Sequence, residues 1–209
     1  MPARRNPPLT RAEVIAAAIG LTRVRGIDSV SMRTVATELG VTPMALYHHI
    51  GDKGDLVSLV ADAVIAGVPA PSAELPWDAW LTEYHDALWK QLRSYPGVAR
   101  FLLDHPSTPA GAAVRRETVD VLRAAGFSGR DALLASSTFH THLLGRLAIE
   151  VLPAGEQRAD EPDWRAHGLD ADAYVRHGLE TVIAGLRAAH EQSGPGSTAH
   201  APQPRLRPR

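Results

Sequence analysis

The sequence predicts an all-α fold, and three observations support that prediction. Alanine, leucine and arginine, which favour helices, are abundant, whereas residues that favour strands are scattered. Apolar residues recur at helical spacing in one segment after another. Residues that cap helix N-termini precede several of these segments, and glycine or proline follows them.

The composition is that of a globular protein. The 209 residues are 44% hydrophobic and 22% charged, enough for one domain or two small ones. The absence of cysteine excludes disulfides and thiolate chemistry. No apolar run approaches the roughly 20 residues that span a bilayer, and residues 1–9 lack the apolar segment of a secretory signal. We therefore expect a cytoplasmic protein with no membrane partner.

The first helix is predicted over residues 10–25. Thr10 and Glu13 have the spacing of a capping box, in which each side chain binds the backbone N–H of the other residue. Gly26 is expected to end this helix. We expect this helix to pack against the two short helices that follow it and to hold them in place.

Residues 31–50 contain two short helices joined by a tight turn. Ser31 is expected to cap the first, and Gly40 to end it in a left-handed conformation. Thr42 is expected to cap the second, with Pro43 at its first position, where no backbone N–H is needed. The predicted inward residues of the second helix are Ala45, Leu46 and Ile50, and its outward residues are Thr42, Pro43, Met44, Tyr47, His48 and His49.

The fourth helix is predicted from the cap Asp52 to about Gly67, after Gly51 ends the second short helix. A proline-rich stretch, residues 68–76, then marks a domain boundary. We therefore expect one domain over residues 10–67 and another over residues 68–192.

A helix, a glycine-containing turn and a second helix with an aromatic, donor-rich outer face are typical of a helix-turn-helix DNA reader. The alternative is a helical hairpin inside a larger core, but such a hairpin would rarely turn Tyr47, His48 and His49 outward. Charge also favours DNA. Residues 1–53 carry seven Lys/Arg against four Asp/Glu, whereas residues 54–192 carry twelve against nineteen.

The stretch VTPMALYHHIGDKGDL, residues 41–56, makes this interpretation specific. It resembles the recognition helix of the tetracycline-repressor (TetR) family and its K-x-x-L run into the fourth helix, and the similarity covers roughly residues 10–66. The resemblance implies a dimeric regulator whose outer helix face meets double-stranded DNA. The predicted DNA-binding residues are Arg33, Thr42, Pro43, Met44, Tyr47, His48, His49 and Lys53.

These residues differ in what they can offer to DNA. Arg33 and His49 can donate to base edges or phosphates, and Lys53 is best placed for a phosphate. Pro43 and Met44 have no hydrogen-bonding side chain and could read only a thymine methyl. We therefore expect few direct base contacts.

Beyond the boundary we predict five helices, over residues 77–94, 96–104, 108–125, 128–152 and 170–190. Residues 132–145, in the fourth of these, run fourteen positions without a formal charge. A surface helix keeps a charged stripe, so one face of this helix is expected to pack within its own chain and another on a second copy. This predicts a homodimer built around a four-helix bundle, which suits a palindromic DNA site.

The two ends of the chain are predicted to be disordered. Residues 1–9 form a basic arm in which Arg4 and Arg5 could follow a DNA backbone, although such arms are more often plain solvated tails. Residues 193–209 are low in complexity and carry three arginines and no acid.

The stretches PWDAWL (residues 76–81), SYPGVARFLL (94–103) and GFS (126–128), together with the uncharged helix, resemble the C-terminal domain of the tetracycline-repressor class, more weakly than the first domain does. Apolar walls with a few polar groups suit a small organic molecule. The predicted ligand-binding residues are Trp80, Tyr84, Phe101, His105, Phe139, His140 and His142. For any single one of them, an ordinary core position is the alternative.

No metal site is predicted. His140 and His142 are two positions apart, so on a helix their rings point to different faces. Tetracycline repressors hold a drug-bound magnesium partly through histidines, but Pro69 and Phe101 fall at two of those positions here. Tetracycline is therefore not the expected effector.

No catalytic residue or cofactor is predicted, because the sequence has no Gly-x-Ser-x-Gly, Walker or Gly-x-Gly-x-x-Gly pattern. The hypothesis is a transcription regulator, a repressor that a small organic molecule releases from a palindromic operator. The alternatives are an activator or a ligand-independent DNA binder. Outside DNA binding, the alternative is a helical small-molecule-binding or catalytic protein with a vestigial DNA-binding domain.

Overall fold

The computed structural model describes residues 8–150 and 171–192, and within them it contains helices and turns but no strand, as predicted. The helices are α1 (Arg11–Arg25), α2 (Met32–Leu39), α3 (Pro43–Tyr47), α4 (Lys53–Ala66), α5 (Trp77–Arg93), α6 (Val98–Asp104), α7 (Pro109–Ala124), α8 (Gly129–Glu150) and α9 (Ala171–Gln192). A single 3₁₀ turn, Ile27–Ser29, connects α1 to α2. We call α1–α3 the head and α5–α9 the body.

The caps predicted for α1 and α2 are confirmed. The Glu13 N–H donates to Thr10 Oγ1 at 3.2 Å, and the Thr10 N–H donates to the Glu13 carboxylate at 2.9 Å. Ser31 makes a second such box with Thr34. Two of the four N–H groups that a helix leaves unpaired at its start are thereby satisfied in each case.

Helix α3 is shorter than predicted, and two details of its ends were wrong. Thr42 occupies the N-cap position in an extended conformation, but its side chain makes no capping hydrogen bond. The helix ends at Tyr47 rather than at Gly51. The reason is that the Leu46 carbonyl accepts from both His49 N–H, at 2.8 Å, and Ile50 N–H, at 2.9 Å, which tightens the chain into a turn.

Helix α4 connects the head to the body. Leu56, Val60 and Ala61 are fully buried, and the helix packs on α1 in the head and on α5, α6 and α7 in the body. Two hydrogen bonds fix it to the body. Asp62 accepts from the Ala110 N–H at 2.8 Å, and Gln91 donates to the Val64 carbonyl at 3.1 Å.

Helix α8 is the central helix of the body and contacts α5, α6, α7 and α9. One of its faces is buried in the core and carries Ala132, Ala135, Phe139, Leu143 and Leu147. The opposite face leaves Leu133 62% exposed and Leu134 54% exposed. Among residues 8–150 and 171–192, therefore, the uncharged stretch of α8 is covered on one face only.

The disorder predicted for the two ends of the chain concerns residues that the structure mostly does not describe. The predicted basic arm, apart from its last two residues, and the predicted tail over residues 193–209 lie outside the described residues. Among the helices of the described part, none is long and apolar enough to cross a membrane.

Candidate nucleic-acid interface and ligand cavity

The surface formed by α2, α3 and the start of α4 carries all eight residues predicted to bind DNA. Seven of their side chains are exposed, and His49 is half-buried. Met44 is 68% exposed and Tyr47 is 50% exposed, and their i, i+3 spacing places them next to each other on α3. We call this surface the α3 face.

Buried residues on the inner side of α3 and the turn before it fix the position of the α3 face. Leu46 and Ile50 are buried and anchor α3 in the core of the head. Gly40 ends α2 in the left-handed region, at φ +65°, and the Val41 N–H donates to the Ala36 carbonyl at 3.0 Å. The turn therefore fixes the direction in which α3 leaves α2.

The charges at the edges of the α3 face suit a polyanion. Arg33 is exposed in the first turn of α2, and Lys53 is exposed at the start of α4. The Asp52 carboxylate is engaged in capping α4, where it accepts from the Asp55 N–H at 2.9 Å. Aromatic and hydroxyl groups thus lie between two cations, a combination that can contact phosphates and base edges.

A small cavity of about 30 Å³ lies between α4, α5, α6, α7 and α8. Two of the residues predicted to bind a ligand, His105 and His140, line it. The other lining residues are Ile65, Leu88, Leu92, Leu102, Gly111, Val114, Arg115, Leu143 and Leu144. The cavity is therefore mostly apolar with a few polar groups, as ligand sites usually are.

His140 is the buried polar group of this cavity. Its Nδ1 lies 2.7 Å from the Ser136 carbonyl, so Nδ1 carries the proton and donates. Its Nε2 is buried and has no hydrogen-bond partner among the described residues. Burial lowers the pKa of His140 to about 4, against the hydrogen bond to Ser136, which raises it. The ring is therefore neutral near pH 7 and presents an unpaired acceptor.

Phe101 and His105 form a stacked pair, with ring centroids 4.2 Å apart. Both rings line a larger cleft of about 700 Å³ between the head and the body, which also includes Arg25, Lys53 and Arg100. His105 borders this cleft and the small cavity alike.

Phe139 and His142 lie around His85, a residue that the sequence did not single out, and Phe139 also contacts His140, with ring centroids 5.1 Å apart. The His85 ring lies 6.1 Å from Phe139 and 6.2 Å from His142. Burial lowers the pKa of both His85 and His142. The His142 ring fits against Gly178 of α9, where a Cβ atom would lie 2.2 Å from it. This cluster joins α5, α8 and α9.

Trp80 and Tyr84 form a third group, with ring centroids 4.6 Å apart. Trp80 borders an open groove of about 900 Å³ on the outer side of α7. Burial raises the pKa of Tyr84, and the neighbouring Glu117 carboxylate raises it further.

The structure thus distributes the seven predicted ligand-binding residues over separate places. It brings His105 and His140 together at the small cavity, and Phe101 and Phe139 adjoin this cavity through their ring contacts with His105 and His140. The apolar lining residues were missed because Leu88, Leu92 and Leu102 carry no sequence signal that separates them from ordinary core. Arg115 could have been noticed as a charge on the inner side of an amphipathic helix.

The body carries several histidines, but those that the structure describes do not gather into a metal site. Within residues 8–150 and 171–192, no group of three or more His, Asp or Glu side chains is close enough to hold a metal ion.

Comparisons with known proteins identify the family of this chain. The sequence profile of the family described as "Bacterial regulatory proteins, tetR family" matches residues 14–60. The tetracycline repressor protein class A from transposon 1721 of Escherichia coli is 31% identical over 187 residues, which is 86% of this chain and 84% of the repressor.

Two solved structures are similar over nearly their whole length. Streptomyces coelicolor ActR in complex with actinorhodin is 27% identical, with a TM-score of 0.72, covering 88% of this chain and 99% of that one. BioQ with its natural double-stranded DNA operator is 27% identical, with a TM-score of 0.70, covering 86% and 99%. The chain therefore belongs to the tetR family of bacterial regulatory proteins and is a transcriptional regulator rather than an enzyme.

Proposed function

We propose that this protein is a repressor that binds a palindromic operator as a homodimer and is released by a small organic molecule. The observation that carries the proposal is the α3 face, where the head keeps Leu46 and Ile50 buried but leaves Met44 and Tyr47 in solvent. Met44 and Tyr47 are three positions apart on α3 and therefore lie side by side, and adjoining exposed side chains of this kind mark an interaction surface. We place this activity in the cytoplasm, where the DNA of a bacterium is accessible.

The assignment of DNA as the partner rests on chemistry and on similarity. Arg33 and Lys53 flank the face with positive charge, and phosphate contacts of this kind provide affinity. The few direct base contacts would come from Arg33 and His49, while Tyr47 and His48 would donate to phosphates or pack on sugars. The BioQ structure, with its DNA operator bound, has the same fold.

The homodimer is proposed from the outer face of α8. Leu133 and Leu134 are exposed there, next to Ser137, Thr138 and Thr141, and residues 132–145 carry no formal charge. If a second copy packed on this face across a two-fold axis, both leucines of each copy would be buried. It would also give the two heads the symmetry of a palindromic site.

The effector is proposed to enter the cavity around His140. The cavity of about 30 Å³ has room for a water molecule or two, whereas sites for drug-sized ligands measure roughly 300–1,000 Å³. The body is therefore closed here, and a ligand would have to move α6 or α7 outward to fit. The unpaired Nε2 of His140 suits a ligand that donates a hydrogen bond, such as a phenol or alcohol, on an otherwise apolar frame.

Release would follow from a difference in affinity between two states. Helix α4 packs on α6 and α7 at the cavity and on α1 in the head, so movement of the cavity wall changes the position of the heads. A ligand that binds the expanded state more tightly shifts the population away from the DNA-binding state.

A reporter gene placed behind the DNA upstream of this protein's own gene tests the direction of regulation. Co-expression of the protein is expected to lower reporter output, and the Tyr47→Ala variant is expected to restore it. Output that rises with the protein would identify an activator. Output that the protein does not change would contradict control of this promoter.

A further inference from the structure

The turn between α5 and α6 touches the head directly, independently of α4. The Ile27 N–H, in the 3₁₀ turn that connects α1 to α2, donates to the Pro96 carbonyl at 2.9 Å. Ile27 is itself buried. The backbones of head and body are therefore hydrogen-bonded to each other at this point.

The contact depends on a glycine. Gly97 has a φ of +83°, and a Cβ atom added to it would lie 2.8 Å from Ile27 Cγ2. The side chain of Ile27 thus occupies the space that any other residue at position 97 would fill. Gly26, at φ +81°, approaches Pro96 from the other side, where an added Cβ would lie 3.4 Å from the carbonyl oxygen. Residues 26–27 and residues 96–97 are therefore in van der Waals contact, with no room for a larger side chain at position 97.

The turn is continuous with the wall of the cavity. The Tyr95 N–H donates to the Leu92 carbonyl at 3.0 Å, and Leu92 lines the cavity at the end of α5. On the other side of the turn, α6 begins at Val98 and places Leu102 in the same wall. A change in cavity volume that separates α5 from α6 would therefore move the turn.

The 3₁₀ turn is also linked to α2 by hydrogen bonds. The Val30 N–H donates to the Ile27 carbonyl at 3.0 Å, and Thr34 Oγ1, in the first turn of α2, donates to the Ser29 carbonyl at 2.9 Å. Displacement of Ile27 would thus be passed to α2, which carries Arg33 and packs on α3.

We propose that Ile27 and Gly97 are positioning residues, which couple the cavity in the body to the α3 face by a route that bypasses α4. The inference rests on the proposed function, since it assumes that the α3 face binds DNA and that the body responds. Coupling between two sites is reciprocal, so DNA binding must act on the turn as much as the turn acts on DNA binding. This makes the inference testable without knowing the effector.

The test is hydrogen–deuterium exchange of the full-length protein, with and without DNA from upstream of its own gene. In the wild type, DNA is expected to slow exchange of residues 32–47 and, by about tenfold, of residues 95–101. In Ile27→Ala, which lacks Cγ2, protection of residues 32–47 should remain, but protection of residues 95–101 should fall below about twofold. Ile27→Val keeps a methyl at the contact and should behave as the wild type.

Retention of the full DNA-dependent protection of residues 95–101 in Ile27→Ala would overturn the proposal, because coupling would then run through α4. So would a wild type in which DNA protects residues 32–47 but leaves residues 95–101 unchanged. A wild type in which DNA protects neither segment would instead contradict DNA binding itself, and the proposal with it. If Ile27→Ala does not fold, Gly97→Ala on the partly exposed turn tests the same contact from the other side, with the same expected loss.

Discussion

At the scale of single residues, exposure separates the residues that serve binding from those that serve folding. Leu46 and Tyr47 are neighbours on α3, yet one is fully buried and the other is half in solvent. Replacing the first would remove core packing, whereas replacing the second removes only what Tyr47 offers to a partner.

Tyr47→Ala is expected to weaken operator binding by about tenfold or more while changing the free energy of unfolding by less than about 0.5 kcal/mol. Operator affinity by gel shift and thermal denaturation measure the two quantities. Val24→Ala is the matched control, because Val24 is 81% exposed on α1, away from the α3 face. If both variants bind DNA like the wild type, the α3 face is wrongly assigned.

His140 makes the stability of the body depend on pH. Its folded-state pKa, about 4, lies below the ordinary value of 6.5, so the unfolded chain takes up the proton first as pH falls. Stability is therefore fully present above pH 6.5 and is lost between pH 6.5 and pH 4, by about 3 kcal/mol from this residue.

Denaturant unfolding of the wild type and of His140→Gln across this pH range measures the contribution of His140. The difference in pH dependence between the two proteins isolates it, because His85 and His142, whose pKa values are also lowered, titrate in both. Parallel curves would show that His140 is not buried as a neutral ring.

At the scale of elements, most helix bounds could be predicted from the sequence because their caps are local. Thr10, Ser31 and Asp52 each accept from a backbone N–H three residues ahead, a spacing visible in the chain. The end of α3 could not be predicted, because the double acceptance by the Leu46 carbonyl has no sequence signature.

The ligand cavity was predicted only in part, for a physical reason. Trp80, Tyr84, Phe139 and His142 are aromatic residues on the expected helices, but the face that each one presents depends on how the helices cross. Periodicity identifies a buried face and does not reveal which neighbour covers it.

Substitutions of Gly40 and Gly20 by alanine, compared with each other, test the conformation of the turn between α2 and α3. Neither has an atom within 4 Å of an added Cβ, but Gly40 has a φ of +65° whereas Gly20 lies within α1. Gly40→Ala is expected to lower the free energy of unfolding by about 1 kcal/mol. Gly20→Ala should raise it by about 0.5–1 kcal/mol. Thermal and denaturant unfolding check both, and equal effects would contradict a left-handed turn at position 40.

Helix α8 presents a face that no other described part of the chain covers. Replacing Leu133 and Leu134 together with glutamate is expected to convert the proposed dimer into a folded monomer, because four desolvated charges would meet at the two-fold axis. Sedimentation or light scattering measures the mass. Thr82→Glu, at an exposed position of α5, is the control and should remain dimeric. A dimeric double variant would place the interface elsewhere.

At the scale of the whole molecule, the head and the body are mechanically joined. Helix α4 packs on both, and the hydrogen bond from Ile27 to Pro96 adds a second connection close to the cavity. The cavity has a volume of about 30 Å³ in this state, too small for a drug-sized ligand, and the α3 face is exposed. Expansion of the body would have to be accommodated at one or both connections.

The most direct test of the central claim is a fluorescence-anisotropy titration of the purified protein with DNA. It compares the DNA upstream of its own gene with a scrambled sequence of the same composition, at two salt concentrations. The account predicts a preference of about a hundredfold or more for the native DNA, with affinity that falls steeply as salt increases. Equally weak binding to both sequences, or no binding at low salt, would contradict it.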